Sequence, residues 1–139
     1  VELNYIYLSL TIFIFRVLQI AQVIKLRWIL MVRRKLRPEE VLLITWMIKD
    51  TDEGDYITST LQSLIVEEMN DGGMGSLKVI TANVDTRVFS RELASADLLD
   101  SDQMPLFISV LLDDVGNFFE LDIFKADFSR LKKFPSVPQ

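Results

Sequence analysis

The chain contains no cysteine and no histidine. Those absences exclude disulfides, thiolate nucleophiles, cysteine–histidine zinc sites and every catalytic triad built on either residue. Glycine and proline are scarce, at five and four residues, too few for a collagen-like or low-complexity chain. Any acid–base chemistry would have to rest on Asp, Glu, Lys or Tyr. What is present is a chain of 139 residues, 50% hydrophobic, with a formal net charge of -5. That length suits one ordinary domain. The composition supports a packed core rather than a disordered tail.

Charge is unevenly spread. Residues 1–30 carry Arg16, Lys25 and Arg27 against the single acid Glu2, and most of the others are apolar. The remainder, 31–139, is strongly acidic. Three readings of the first segment compete. As a transmembrane helix it has an uncharged run, Leu3 to Phe15, shorter than the roughly 20 residues a bilayer needs. Arg16 would then lie near mid-span, at a cost of about 2.5–3.5 kcal/mol. As a buried or partner-binding helix, it shows a narrow polar stripe at Arg16, Gln19, Gln22 and Lys25. As an upstream extension, it precedes a natural polar start at Met31-Val32-Arg33-Arg34-Lys35. The third reading is preferred. It divides the chain into a hydrophobic extension over 1–32, one domain over 33–135 and a tail over 136–139. A signal peptide is disfavoured, because no basic region precedes Leu3 and no small-residue cleavage site follows the apolar run.

Residues 33–135 read as α+β, with two helices packed on a four- to five-stranded, mainly antiparallel sheet. Pro38 suits the first turn of a helix, and Glu39 and Glu40 suit the positive end of its dipole. This predicts a helix over 38–49, ended by the polar cluster Asp50 to Asp55. Residues 56–69 fit both periods; a short helix over 56–62 followed by a strand over 63–69 is the expectation. Asn70-Asp71-Gly72-Gly73 signals a turn, and Leu77 to Ile80 returns as the paired strand. Further strands are expected over 88–99, 105–112 and 118–124. In the last, Phe119, Leu121 and Ile123 would face one side, with Phe118, Glu120, Asp122 and Phe124 on the other.

Phe119-Glu120-Leu121-Asp122-Ile123-Phe124-Lys125-Ala126-Asp127-Phe128 resembles the end of a family of small uncharacterised bacterial domains. That family closes on Phe-Glu-Leu-Asp-hydrophobic-Trp-Lys-x-Asp-Phe. Asp71 to Leu77 and Arg34 to Glu40 resemble it as well. The resemblance covers about 33–135 and implies no established activity. Two positions depart from it: Phe124 replaces the usual tryptophan, and Asp102-Gln103 replaces an Asp-Gly turn. A looser likeness of size and style links the chain to immunity proteins of bacterial toxin systems.

Four groups of residues stand out. Asp71, Gly72, Gly73 and Gly75 form a glycine-rich stretch without the Lys-Ser/Thr of a phosphate loop. They are read as a structural turn with glycines at positive φ. Glu120, Asp122, Lys125 and Asp127 are the only dense polar constellation in an apolar frame. An Asp–Lys pair tying the strand end to the next turn is the structural reading, and a binding surface the functional one. Asp97, Asp100, Asp102, Asp113 and Asp114 would gather on one sheet edge, for solubility or for steering a basic partner. The basic run Arg33, Arg34, Lys35 and Arg37 would touch lipid or nucleic acid, or pair with the acidic surface.

These observations assign no catalytic residue, no metal ligand and no cofactor. The expectation is a non-enzymatic, acidic, cytoplasmic module that binds a basic protein, in the manner of an inhibitor or immunity protein. Nucleic acid is not an expected partner, and a membrane is one only through residues 1–30. One alternative is a metal-dependent enzyme using Glu120, Asp122 and Asp127. Another is a small membrane-anchored protein.

Overall fold

The computed structural model describes residues 2–29, 32–82 and 86–139. Met31, the expected start site, lies outside them. The chain forms two compact units, Val1–Val32 and Arg33–Gln139.

The first unit is a single helix, α1, over Glu2–Ile29. Its side chains over 9–24 are all exposed, including Phe13 and Phe15. Among the described residues, no helix is long and apolar enough to cross a membrane.

The second unit is α+β. Helices α2 (Pro38–Ile48) and α3 (Gly54–Thr60), the latter continued by a 3-10 turn at Leu61–Ser63, pack on one antiparallel sheet. Its strands are β1 (Arg33–Lys35), β2 (Ile65–Glu68), β3 (Leu77–Ile80), β4 (Phe89–Leu99), β5 (Pro105–Asp113) and β6 (Phe118–Lys125). Their spatial order is β1-β2-β3-β6-β5-β4. The expected sheet was one or two strands smaller. The basic residues of β1 have no β pattern of their own, and cross-strand charge accompanies their pairing. Arg33 opposes Glu67 in register and bonds it at 2.7 Å.

Local chemistry explains both helices. Pro38 opens α2, and Glu40 reaches back to accept the Arg37 backbone N–H at 2.7 Å, satisfying a donor the helix cannot. At its end Thr51 donates its hydroxyl to the Ile48 carbonyl. Gly54 starts α3 against that same carbonyl, where any Cβ would clash. The expected loop over Asp50 to Asp55 therefore ends two residues early.

The core lies between the helices and one face of the sheet. Leu43, Ile44, Ile48, Ile57 and Leu61 meet Val66, Leu121, Ile123, Leu106 and Ile108, all essentially buried. In β6 the expected alternation holds at Leu121 and Ile123 and fails at the strand's start. A register shift at Leu111/Leu112 leaves Leu112 opposite Phe118. One extra residue reverses the side-chain faces. Phe118 therefore joins the core cluster. The ring of Phe119 instead lies near two cations, Lys78 and Arg87, at 5.7 and 5.3 Å from its centroid. At the chain's end Phe134 and Val137 pack against the core and Pro135 is buried, so part of the expected tail is packed.

Candidate binding face

The face of the sheet away from α2 and α3 is open. Its rows follow from the register. Asp97, Phe107 and Phe124 stand side by side across β4, β5 and β6, as do Ser95, Ser109 and Asp122. A third row runs Glu92, Leu111, Glu120 and then Lys78 of β3. The β4–β6 half of this face thus carries four carboxylates beside exposed aromatic surface. Phe107 stacks on Phe124 with centroids 6.2 Å apart, and Phe128 meets Phe124 edge-on at 5.0 Å. Phe107 and Phe128 are 45% and 70% exposed.

The four residues singled out from the sequence divide between this face and its support. Glu120 and Asp122 lie on it. Burial raises the Glu120 carboxyl above its ordinary range, with the Asp122 charge adding and Lys78 opposing. Asp122 is exposed and accepts the Ser76 hydroxyl at 3.3 Å.

Lys125 projects from the opposite side of β6 and is fully buried. Its ammonium donates to Asp100 at 2.8 Å, to Asp102 at 2.7 Å and to the Arg130 carbonyl at 3.3 Å. The anticipated Asp–Lys pair therefore runs back to the β4–β5 turn rather than forward to Asp127. Burial opposes ionisation of Asp100. The Lys125 ammonium and the backbone N–H groups of Lys132, Ser101 and Lys133 nonetheless hold its carboxyl well below the usual carboxylate range. Asp100 thereby ties the chain at 132–133 to the turn. Lys125 is likewise opposed by burial, yet its two carboxylate partners raise it.

Asp127 is exposed and accepts both the Ser129 N–H, at 3.0 Å, and its hydroxyl, at 2.7 Å. Those bonds hold the Ser129 hydroxyl and the turn that presents Phe128. Phe128 adopts φ 59 and donates its N–H to the Lys125 carbonyl.

The five aspartates do not gather on one edge. Asp100 and Asp113 sit at opposite ends of β5, roughly 30 Å apart at about 3.4 Å per residue. Both are buried. Asp113 accepts Arg87 Nε at 2.7 Å and the N–H groups of Val115 and Asn117. Burial pushes its carboxyl up, but these donors leave it lowered overall. The error was to read an aspartate next to a turn as solvated, when turn N–H groups are acceptor-seeking.

The glycine-rich segment accounts for its own donors. Asp71 accepts the N–H groups of Gly73, Met74 and Ser76 at 2.8–3.0 Å. Gly73 and Gly75 have φ of 85 and 102, values that glycine adopts without steric cost. Of the basic run, Arg33, Arg34 and Arg37 are all ion-paired. Arg34 bonds both Glu40 oxygens at 2.7 and 2.8 Å and Glu68 at 3.0 Å, and Arg37 also reaches Glu68.

Sequence reasoning placed Phe124 with Glu120 and Asp122 but missed Phe107, Phe128, Asp97 and Glu92 as members of the same face. The alternation 105, 107, 109, 111 along β5 carried part of that signal. The cross-strand neighbours required the register. Among the described residues, no group of three His, Cys, Asp or Glu side chains is placed to hold a metal ion.

Fold and face together define a small α+β domain with one helix-covered and one open sheet face. The chain belongs to a family described as a domain of unknown function, DUF6984, whose model matches residues 33–135. Comparison with curated proteins and with solved structures gives no match.

Proposed function

We propose that Arg33–Gln139 is a binding module that docks a basic, partly apolar protein segment on its open sheet face, in the cytoplasm and without catalysis. One observation carries this reading: Asp97, Glu120 and Asp122 flank the Phe107–Phe124–Phe128 cluster, in which Phe107 and Phe128 are exposed. Carboxylates supply attraction to Lys and Arg, and ring faces accept both alkyl stems and guanidinium groups. Asp100 and Asp113 already have multiple donors, so they have little left to offer a partner. Exposed charge also makes attraction salt-sensitive, because screening acts over about 8–10 Å at moderate ionic strength.

The test is amide chemical-shift mapping of the full chain during titration with an arginine–leucine peptide and with its glutamate–leucine counterpart. Shifts at 107, 122 and 124, confined to the basic peptide and weakened by salt, are expected. Asp122→Lys should weaken binding several-fold and leave the spectrum otherwise native. Shifts confined to other surfaces would overturn the reading. A saturable manganese effect at Glu120 and Asp122, with a metal-dependent activity lost in Asp122→Asn, would replace it with the enzyme alternative.

A further inference from the structure

Helix α1 has a sided surface that the binding face does not involve. At 3.6 residues per turn, Leu10, Phe13, Ile14, Val17, Ile20 and Ile24 fall on one stripe roughly 120° wide. Each is between 48% and 66% exposed. No polar residue interrupts that stripe between 9 and 24; Ser9, Thr11, Arg16, Gln19 and Gln22 all fall outside it. The outer side is mixed, since Ile12, Phe15, Leu18 and Val23 are also exposed there.

We infer that α1 binds an anionic lipid surface, lying in the plane of the headgroups with the Leu10–Ile24 stripe turned to the acyl chains. Two features select lipid over a second copy of the chain. The charged residues of this unit are Arg16, Lys25 and Arg27 against Glu2, a net positive helix in an otherwise acidic protein. That sign complements an anionic leaflet and opposes pairing with an identical helix. A two-helix seam would also leave Leu18 in water, whereas the headgroup boundary accommodates an apolar side chain on the helix flank. An in-plane helix lets Arg16 keep its charge among headgroups. This orientation agrees with the absence, among the described residues, of a helix long and apolar enough to cross.

The experiment is density-gradient flotation of the full chain with phosphatidylcholine vesicles, with and without phosphatidylserine. The chain should float with the phosphatidylserine vesicles and be released by alkaline carbonate. Phe13→Glu combined with Val17→Glu should abolish flotation, while Leu18→Gln on the mixed side should retain it. Arg16→Gln should lower partitioning into anionic vesicles about fivefold, the equivalent of one basic residue near such a surface. Amide spectra of 33–139 in each variant separate lost binding from lost folding. Flotation that resists carbonate would mean a spanning helix and overturn the in-plane reading. A lipid-free dimer that does not float would overturn it in favour of a second copy. A monomer indifferent to both vesicles would remove it altogether.

Discussion

Asp100 and Glu120 are both acidic side chains on neighbouring strands or their turns, and their environments drive them in opposite directions. Asp100 is buried, yet one ammonium and three backbone N–H groups converge on it and keep it ionised. Glu120 is half-buried with a second carboxylate beside it, and its proton affinity rises. The difference lies in donors rather than depth. A carboxylate in a turn is supplied with N–H groups by the backbone, whereas one in mid-strand is not, because those groups are committed to the ladder. The first kind becomes part of the scaffold. The second remains available to a partner, which is why the proposed docking surface uses strand carboxylates.

The largest effect should come from breaking the scaffold pair. Lys125→Ala leaves Asp100 buried without its cation and should cost about 3–5 kcal/mol, measured by urea unfolding at neutral pH. Asp100 has a folded pKa below its unfolded value. Its contribution is therefore present above the ordinary carboxylate pKa of about 3.9 and is lost as pH falls below it. Wild-type stability should decline steeply below about pH 4, and the variant's decline should be shallower. Equal stability of variant and wild type at pH 7 would remove the Lys125 network from the scaffold.

A smaller effect tests the turn that carries Asp102. Gln103 holds φ 65, the left-handed conformation that favours glycine. A side chain held in that conformation is strained. Gln103→Gly should stabilise the fold by about 1 kcal/mol, seen as a higher urea midpoint with an unchanged slope. A lower midpoint would mean the Gln103 side chain contributes more than its backbone costs.

The smallest effect belongs to the open face. Glu120 has a folded pKa above its unfolded value, so ionisation of Glu120 opposes folding at neutral pH. Glu120→Gln should raise stability at pH 7 by no more than about 0.5 kcal/mol, the range of exposed substitutions. The gain should vanish as pH falls through the window where Glu120 takes up its proton. A loss of stability at pH 7 would place Glu120 with Asp100 in the scaffold and dissolve the contrast between them.

Much of the fold was legible because local signals agreed. Pro38 with Glu39 and Glu40 marked α2, and the alternation after Leu106 marked β5 and β6. The face was only half legible. Glu120 and Asp122 follow from period-two spacing, but Lys125, five and three residues on, reads as their neighbour although the pleat turns it inward. β1 escaped because three basic residues carry no strand pattern of their own, and their pairing shows only in the register that sets Arg33 opposite Glu67 and brings Arg34 to Glu68.

Sequence alone determined what chemistry is absent, where the chain changes character and which residues alternate along each strand, since these depend on composition and on positions a few residues apart. Tertiary structure decided which carboxylates are scaffold and which are surface. It also decided that Phe118 rather than Phe119 enters the core, and that Phe107, Phe124 and Phe128 meet. Each of those outcomes depends on register between segments far apart in the chain, and a one-residue bulge is enough to reverse it.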